Sequence, residues 1–321
     1  MHSRSMQKAN TAAPSKVHLA ADPVRAILLM CLASALFACL DTTAKYLVLV
    51  PQIPMSQVVW MRYVGQLAAM VAMLGLVALP SLLSTQRLGA QLVRSCLLLG
   101  STAFNFIALR HLRLDQTTTI GFLTPLMVAV LAGPLLGEWI GWRRAIAILV
   151  GFSGVLLAVR PGISGLHPAF LFAFGSMLCY AFFSIITRYL AAYDSSEATL
   201  FYSMFAGTFL VAPLAIADWT PPADLGTWGL LWAMGLFGAI GHYFFILAHR
   251  YAPASRVVPF IYVTLLTHSL AGFAVFGQVP DAWTLAGAGI VIGSGLYLFH
   301  RERVTARAEA MAMTTQAAPS R

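Results

Sequence analysis

Charge is what this sequence has least of. Only 10% of its 321 residues are Asp, Glu, Lys or Arg, whereas 59% are hydrophobic. A water-soluble protein of this length needs more polar surface than these residues provide. The composition therefore excludes a soluble globule. The apolar residues fall into repeated runs of about 20, the length that a helix needs to cross a bilayer.

Cysteine pairs and enzymatic motifs are also missing. The four cysteines lie inside apolar runs without a CxxC pair, so we expect neither a disulfide nor a metal site. The sequence has no HExxH motif, no paired intramembrane aspartates and no motif-bound serine with a histidine base. We therefore expect no cofactor and no enzymatic activity. An intramembrane enzyme is the main rival class, and an ion channel, which would need charged rings or a carbonyl filter, is the second.

The net charge of +9 does not indicate nucleic acid binding. The basic residues lie at predicted helix ends and in the tails, and they form no stripe interleaved with aromatic residues. The expected partners are instead the lipid bilayer and a small-molecule substrate, and a homodimer is compatible with the pattern.

Ten membrane-spanning helices are predicted from the apolar runs. Their expected ranges are 24–48, 55–79, 91–109, 116–136, 142–159, 168–190, 197–217, 226–248, 254–277 and 282–300. The tails, 1–22 and 304–321, lack periodic apolar positions and are predicted to be disordered.

The two halves of the chain, 24–160 and 168–300, echo each other. The segment 121–125, followed by Gly137-Glu138 and Trp142, has a counterpart in 259–263, followed by Gly277-Gln278 and Trp283. Because each half has five helices, an odd number, the second must enter the membrane upside down. The predicted fold is thus an all-α integral membrane protein of ten transmembrane helices in two inverted five-helix repeats, which can rock around a midplane cavity.

Several stretches resemble the EamA family of the drug/metabolite transporter superfamily. They lie between about 24 and 302, and the most specific are 123–126 through 136–138, 150–155 with 160–162, 249–255, and 293–297. The resemblance implies a bacterial inner-membrane carrier for small organic metabolites, with a multidrug or metabolite exporter as the alternative. The stretch Tyr251–Ser255 with the following Pro-Phe-x-Tyr is similar to carriers of S-adenosylmethionine or riboflavin. Gln278 departs from the family, which frequently has Glu there.

Three ionisable residues within the predicted helices are candidates for substrate or ion binding. Asp41 is the only acid deep in a predicted helix, Lys45 follows one turn later, and Arg62 lies on the second helix. Asp41 and Arg62 are both expected roughly 10 to 12 Å below the outer surface, at about 1.5 Å per residue, so they can meet. The alternative to a binding site is a structural salt bridge between two helices.

Further candidates lie on other predicted helices and face the interior by their spacing. For each histidine the alternative is a hydrogen-bonded packing role, and for Trp60 it is simple packing in the core. The substrate-binding candidates of this group are Trp60, Gln66, Tyr180, His242, Tyr262 and His268. Pro125 and Pro259 occupy nearly equivalent positions in the two halves, where the missing N–H interrupts a helix or merely kinks it.

The distribution of basic residues predicts that both termini are cytoplasmic. Most of the 20 Lys and Arg residues fall in segments on the side of the N-terminus, whereas the opposite loops hold only Arg110, Arg113 and Arg160. A reporter that is active only in the periplasm should therefore stay silent when fused after Arg321. An active periplasmic fusion, with a dark cytoplasmic one, would contradict the orientation or the helix count.

Overall fold

The computed structural model describes residues 23–75, 79–124, 126–128, 130–131, 142–159, 167–190, 193–251 and 263–317. Every regular element within these ranges is a helix, which confirms the all-α prediction. Pro125, Pro259 and Tyr262, which the sequence singled out, lie outside the described residues.

Six of the helices belong to the first half. They are α1 (Pro23–Leu49), α2 (Met55–Leu74), the single turn α3 (Leu79–Leu82), α4 (Leu88–His111), α5 (Leu114–Gly121) and α6 (Trp142–Val159). The second half contributes α7 (Ala169–Leu190), the short helices α8 (Ser196–Ser203), α9 (Phe205–Leu210) and α10 (Ala212–Ala217), then α11 (Leu225–Tyr251), α12 (Val263–Phe276) and α13 (Ala282–Ala317).

Four helices of the described chain are long and apolar enough to cross a membrane. The spanning segments are Val24–Leu49, Leu88–His111, Ala169–Thr187 and Leu225–Phe245. Three shorter apolar segments accompany them: Ala145–Ala158, Val263–Phe276 and Ala282–Tyr297. The molecule is therefore a multi-pass membrane protein. Five of the predicted ranges agree with described helices to within three residues at each end: 24–48, 91–109, 142–159, 168–190 and 226–248.

Two predicted ranges are wrong at their ends. The second helix stops at Leu74 instead of 79, because Gly75 adopts a positive φ of 74° that continues no right-handed helix. The last helix runs on to Ala317, so residues 304–317 are helical and not disordered. Alanine is the commonest residue of this segment, with five of its fourteen positions, and it has the highest helix propensity, which favours a helix even without a periodic apolar face.

The predicted helix 197–217 is broken into three pieces, at Met204 and at Val211. At the first break, the Ser95 hydroxyl of α4 accepts a hydrogen bond from the Ala206 N–H (2.8 Å) and donates one to the Ser203 carbonyl (3.3 Å). A side chain from the first half thus supplies hydrogen bonds that a continuous helix would make within itself.

At the second break, too, a side chain from the first half supplies a backbone hydrogen bond. Pro213 lies in the first turn of α10 and has no N–H to donate. The indole N–H of Trp60, on α2, donates to the Thr208 carbonyl at 2.9 Å. The three short helices therefore depend on α2 and α4 for part of their backbone hydrogen bonding, and this dependence could not be read from the apolar pattern.

Long helices of the two halves pack against each other in pairs. The closest packing joins α1 to α11, α4 to α7, α2 to α11, and α6 to α13. Glycines permit the closest approaches. A Cβ on Gly235 of α11 would lie 2.6 Å from the carbonyl carbon of Gly65 on α2, and one on Gly154 of α6 would lie 2.7 Å from the Gly287 carbonyl oxygen on α13. Small residues at such crossings are how membrane helices gain van der Waals contact.

The α6–α13 crossing yields a test with an internal control. Gly287→Ala would drive a Cβ into the Gly154 carbonyl and to 2.8 Å from the Ala158 Cβ, whereas Gly289, two positions further along the same helix, has nothing within 4 Å. We expect Gly287→Ala to lower the thermal unfolding midpoint in detergent, by the equivalent of about 1–3 kcal/mol of overpacking. Gly289→Ala should leave it unchanged or raise it slightly. Equal effects of the two changes would contradict the crossing.

Candidate functional site

Buried polar side chains concentrate where α1, α2 and α4 face α7, α11 and α12. The buried ionisable residues of the described chain include Lys45, Arg62, Arg94 and His268, each at most 7% exposed. Charges persist at such depth when they are paired or when they line a polar cavity. These residues therefore define the candidate site.

Arg62 turns away from α1 and towards α4. Its Nη1 donates to the Thr102 hydroxyl at 2.6 Å, and its guanidinium lies 4.9 Å from the ring centroid of Tyr63. The Tyr63 hydroxyl shares the same Thr102 oxygen at 2.9 Å. The Nε of Arg62 is buried and has no hydrogen-bond partner.

Arg94 is the buried residue that the sequence reasoning missed, because it was assigned to the cytoplasmic end of its helix. It is 5% exposed. Its Nε donates to Thr187 (2.6 Å), and its Nη1 donates to the Ser203 hydroxyl (2.6 Å) and the Thr199 carbonyl (2.9 Å). The signals that could have found it are an arginine inside an apolar run and the polar residues along one face of α7.

Tyr180 lies between the two arginines. On α7, Thr187 bonds to Arg94, whereas Ser176 bonds to the Ser101 carbonyl of α4 at 2.8 Å, so Tyr180 is held at an intermediate level. The Arg94 guanidinium stacks 4.2 Å from the Phe183 centroid, and Phe183 in turn stacks on Tyr180 at 5.3 Å. Tyr180 remains 36% exposed and feels the charges of both Arg94 and Arg62.

His242 and Gln66 border the same region from α11 and α2. His242 packs edge-on against Phe37 of α1 (4.9 Å between centroids), and its Nε2 is buried without a partner. It too feels the charges of Arg62 and Arg94. Gln66 is 3% exposed and faces Gly238, where an added Cβ would lie 3.2 Å from the Gln66 Oε1. The structure thus brings together Arg62, Gln66, Tyr180 and His242.

Trp60 contributes packing to this end of α2. Besides its bond to the Thr208 carbonyl, its ring meets Trp219 edge-on at 6.0 Å between centroids. The indole N–H and its face are therefore both engaged, which favours the packing role over stacking on a ligand.

Asp41 meets His268, not Arg62. The Asp41 Oδ2 lies 3.2 Å from the His268 Nε2 and accepts a longer bond (3.4 Å) from the Asn105 amide of α4. The predicted meeting of Asp41 with Arg62 is wrong. Equal depth in the membrane places two residues at one level, but rotation about the helix axis decides their partners, and α2 is rotated so that Arg62 faces α4.

The tautomer of His268 follows from its second contact. Its Nδ1 lies 2.9 Å from the Thr264 carbonyl, which can only accept, so Nδ1 carries a proton. Nε2 then faces a carboxylate oxygen. The contact requires a second proton, either on Nε2 or on Asp41, because two bare acceptors would repel each other. Asp41 and His268 are therefore placed to share a proton across the contact between α1 and α12.

Lys45 is held separately, near the C-terminal end of α1. Its Nζ donates to the Leu112 carbonyl at 2.6 Å and to the Gln278 Oε1 at 3.5 Å, and lies 5.1 Å from the Phe276 centroid. The position of Lys45 one turn after Asp41 would allow the two side chains to bond, but Lys45 does not bond to Asp41. Gln278, which departs from the family pattern, supplies a neutral oxygen where a glutamate would supply a charge.

A cleft of about 370 Å³ between α6 and α13 lies apart from this site. It is lined by Trp142, Ile146, Val150, Tyr297 and neighbouring residues, and none of the predicted site residues borders it. Its position on the side of the helix pair fits a lipid-facing groove better than a polar ligand site.

Known proteins resemble this chain over most of its length. The S-adenosylmethionine uptake transporter of Rickettsia prowazekii is 27% identical over 222 residues, 69% of this chain and 75% of that protein. The riboflavin transporter of Vibrio cholerae is 27% identical over 288 residues, 89% and 97% of the two chains. The pseudopaline exporter CntI of Pseudomonas aeruginosa is 28% identical over 196 residues, 58% and 66%.

A solved structure shares the fold. A protein known from its crystal structure superposes with a TM-score of 0.57 at 17% identity, over 84% of this chain and 94% of that one. The EamA-like transporter family matches the chain twice, over residues 24–160 and 167–299. With both halves matched and the earlier resemblance confirmed, this chain belongs to the EamA-like transporter family.

Proposed function

We propose that this protein is a secondary transporter that moves a small organic metabolite across the bacterial inner membrane by alternating access. Ten transmembrane helices form two inverted five-helix repeats, with both termini in the cytoplasm. The candidate site lies at the contact between the repeats, where a cavity can open to either side in turn. Two copies of the chain are compatible with this arrangement.

The observation that carries this proposal is the symmetry of the helix packing. If the repeats are exchanged, α1 replaces α7 and α4 replaces α11, so the α1–α11 contact becomes the α7–α4 contact. Both contacts exist, and the α2–α11 contact is likewise matched by α4 against α8 and α9. The α6–α13 and α5–α12 contacts map onto themselves. Such a pattern supports two equivalent units related by a pseudo-twofold axis, the architecture used for rocking motions.

The relatives' substrates suggest which molecules to test. S-adenosylmethionine and riboflavin are the first probes for uptake, in keeping with the sequence similarity, and export is the alternative direction. The site offers guanidinium, phenol and imidazole groups, which suit a polar organic molecule better than a bare inorganic ion.

Alternating access can be tested with single cysteines in a background without the native Cys31, Cys39, Cys96 and Cys179. In the proposed orientation, Asn105→Cys lies in the outer half of α4 and Ser184→Cys in the inner half of α7. We expect a transported substrate to change the labelling rates of these two cysteines in opposite directions, because one entrance closes as the other opens. Labelling is measured with a membrane-impermeant maleimide on oriented vesicles.

Leu171→Cys is the control for this experiment. Leu171 is 67% exposed on the outer surface of α7, so substrate should leave its labelling unchanged. If both test cysteines react from both sides at once, and substrate slows them together, the protein is a channel and the proposal fails.

Asp41 and His268 are the proposed proton-coupling pair. Their contact joins α1 of the first repeat to α12 of the second, so a rocking motion would break it and expose the shared proton to one side. Lys45 is bound elsewhere and His242 packs on Phe37, so neither is bonded to the pair.

Removing either partner should uncouple transport from a pH gradient. In vesicles, Asp41→Asn and His268→Gln should abolish gradient-driven accumulation, because neither variant can hold the shared proton, while exchange of labelled for unlabelled substrate continues. Cys39→Ser, at an exposed position of α1, is the matched control and should keep both activities. Full accumulation by both test variants would show that the pair is structural.

A further inference from the structure

Two buried guanidinium groups in the site have no negative partner. Arg62 is 7% exposed and Arg94 5% exposed. Within the described part of the chain, Arg62 bonds to a hydroxyl and Arg94 bonds to two hydroxyls and a carbonyl. Neither forms an ion pair with a carboxylate of the described residues. The site therefore contains two positive charges that are solvated by neutral dipoles alone.

The nearest acids are engaged elsewhere. Asp41 shares its proton with His268. Asp194, in the loop after α7, is slightly buried, which raises its pKa, but bonds from Thr85, the Gln86 N–H and Gln91 outweigh this and hold the pKa below its usual value. It is thus an ionised carboxylate with its own donors. A buried charge persists in a membrane protein when it is paired or when it lines a polar cavity, so two arginines without a negative partner point to a negative group that arrives from outside.

The geometry shows where this group would lie. Arg62 is bonded to Thr102, which lies about 12 Å along the axis of α4 from Arg94. The exposed ring of Tyr180 lies at an intermediate level. The Nε of Arg62, which is a donor, and the Nε2 of His242 are both buried and unpartnered, so the site has hydrogen-bonding capacity that nothing in the described protein uses.

We propose that the transported molecule is an organic anion, whose carboxylate or phosphate binds between Arg62 and Arg94 and whose planar part lies against Tyr180. This inference rests on the proposed transport function and names its substrate class. Arginine suits the task because its planar fork binds carboxylate or phosphate through two parallel hydrogen bonds. The free Nε of Arg62 leaves such a fork available. Arg94, Phe183 and Tyr180 stack in that order, and the ring of Tyr180 at the end of the stack provides a surface on which a flat ring can lie.

Matched pairs of molecules that differ by one acidic group test the proposal on the wild-type protein. One pair is tryptophan and tryptophanamide, which tests a carboxylate, and the other is riboflavin 5′-phosphate and riboflavin, which tests a phosphate. Binding is measured in detergent by the shift of the thermal unfolding midpoint with ligand concentration. We expect the member that carries the carboxylate or phosphate to bind about tenfold more tightly or better in at least one pair, the gain expected of a charge-assisted hydrogen bond over a neutral one.

Variants connect this preference to the two arginines. Arg62→Gln and Arg94→Gln should each abolish the tenfold preference, and Arg62→Lys should reduce it, because lysine keeps the charge but loses the fork. If Arg94→Gln does not fold, the binding preference is measured with Arg94→Lys in its place. Arg143→Gln is the control: Arg143 is exposed at the start of α6, and its loss changes the net charge without touching the site.

Three results would overturn the inference. The member of each pair that lacks the carboxylate or phosphate could bind as well as the one that carries it, inorganic phosphate alone could produce the whole stabilisation, or the preference could survive in both glutamine variants. These outcomes are distinct from a failure of the proposed function. That failure would appear as the absence of alternating labelling and of substrate exchange in vesicles, whereas binding in detergent requires neither.

Discussion

A polar group inside a bilayer has no water with which to form hydrogen bonds, and this constraint decides most of the structure. Each backbone N–H or carbonyl left free by a helix break must find a partner within the protein. At the two breaks between α8, α9 and α10, the partners are the Ser95 hydroxyl and the Trp60 indole. The same rule governs the side chains, since Asp41, Lys45, Arg62 and Arg94 are each bonded to a group from another helix or a loop.

The constraint separates two kinds of buried charge in this molecule. Asp41 has a partner that can balance it, and the pair holds a proton at the contact between α1 and α12. Arg62 and Arg94 have only dipoles. In a balanced pair, the mutual attraction offsets part of the cost of burying the two groups until a motion separates them, whereas an arginine without a negative partner costs free energy in every state in which no anion is bound. A transporter can use the balanced pair as a coupling element and the arginines as a binding site for its substrate. An anionic substrate would then offset the free-energy cost of the buried positive charges.

The apolar pattern predicted the helical class and half of the helix ranges, because the length of a bilayer-crossing helix and the distribution of charge can both be read from a sequence. It also selected residues that the structure does bring together, among them Arg62, Tyr180 and His242. It failed on partners. Counting residues gives depth but not rotation about the helix axis, so Asp41 was expected near Arg62 and was found on His268. Arg94 was missed because a predicted helix that began three residues late placed it at the surface.

The two breaks in the eighth to tenth helices carry a consequence for how the chain is made. Ribosomes deliver the first half of a membrane protein to the bilayer before the second. Since Ser95 and Trp60 complete the backbone of α9 and of the α9–α10 junction, these helices reach their final hydrogen bonding only after α2 and α4 are in place. The half that is synthesised first thus contains the side chains that the short helices of the second half require. It acts as the template on which the irregular part of the second half is completed.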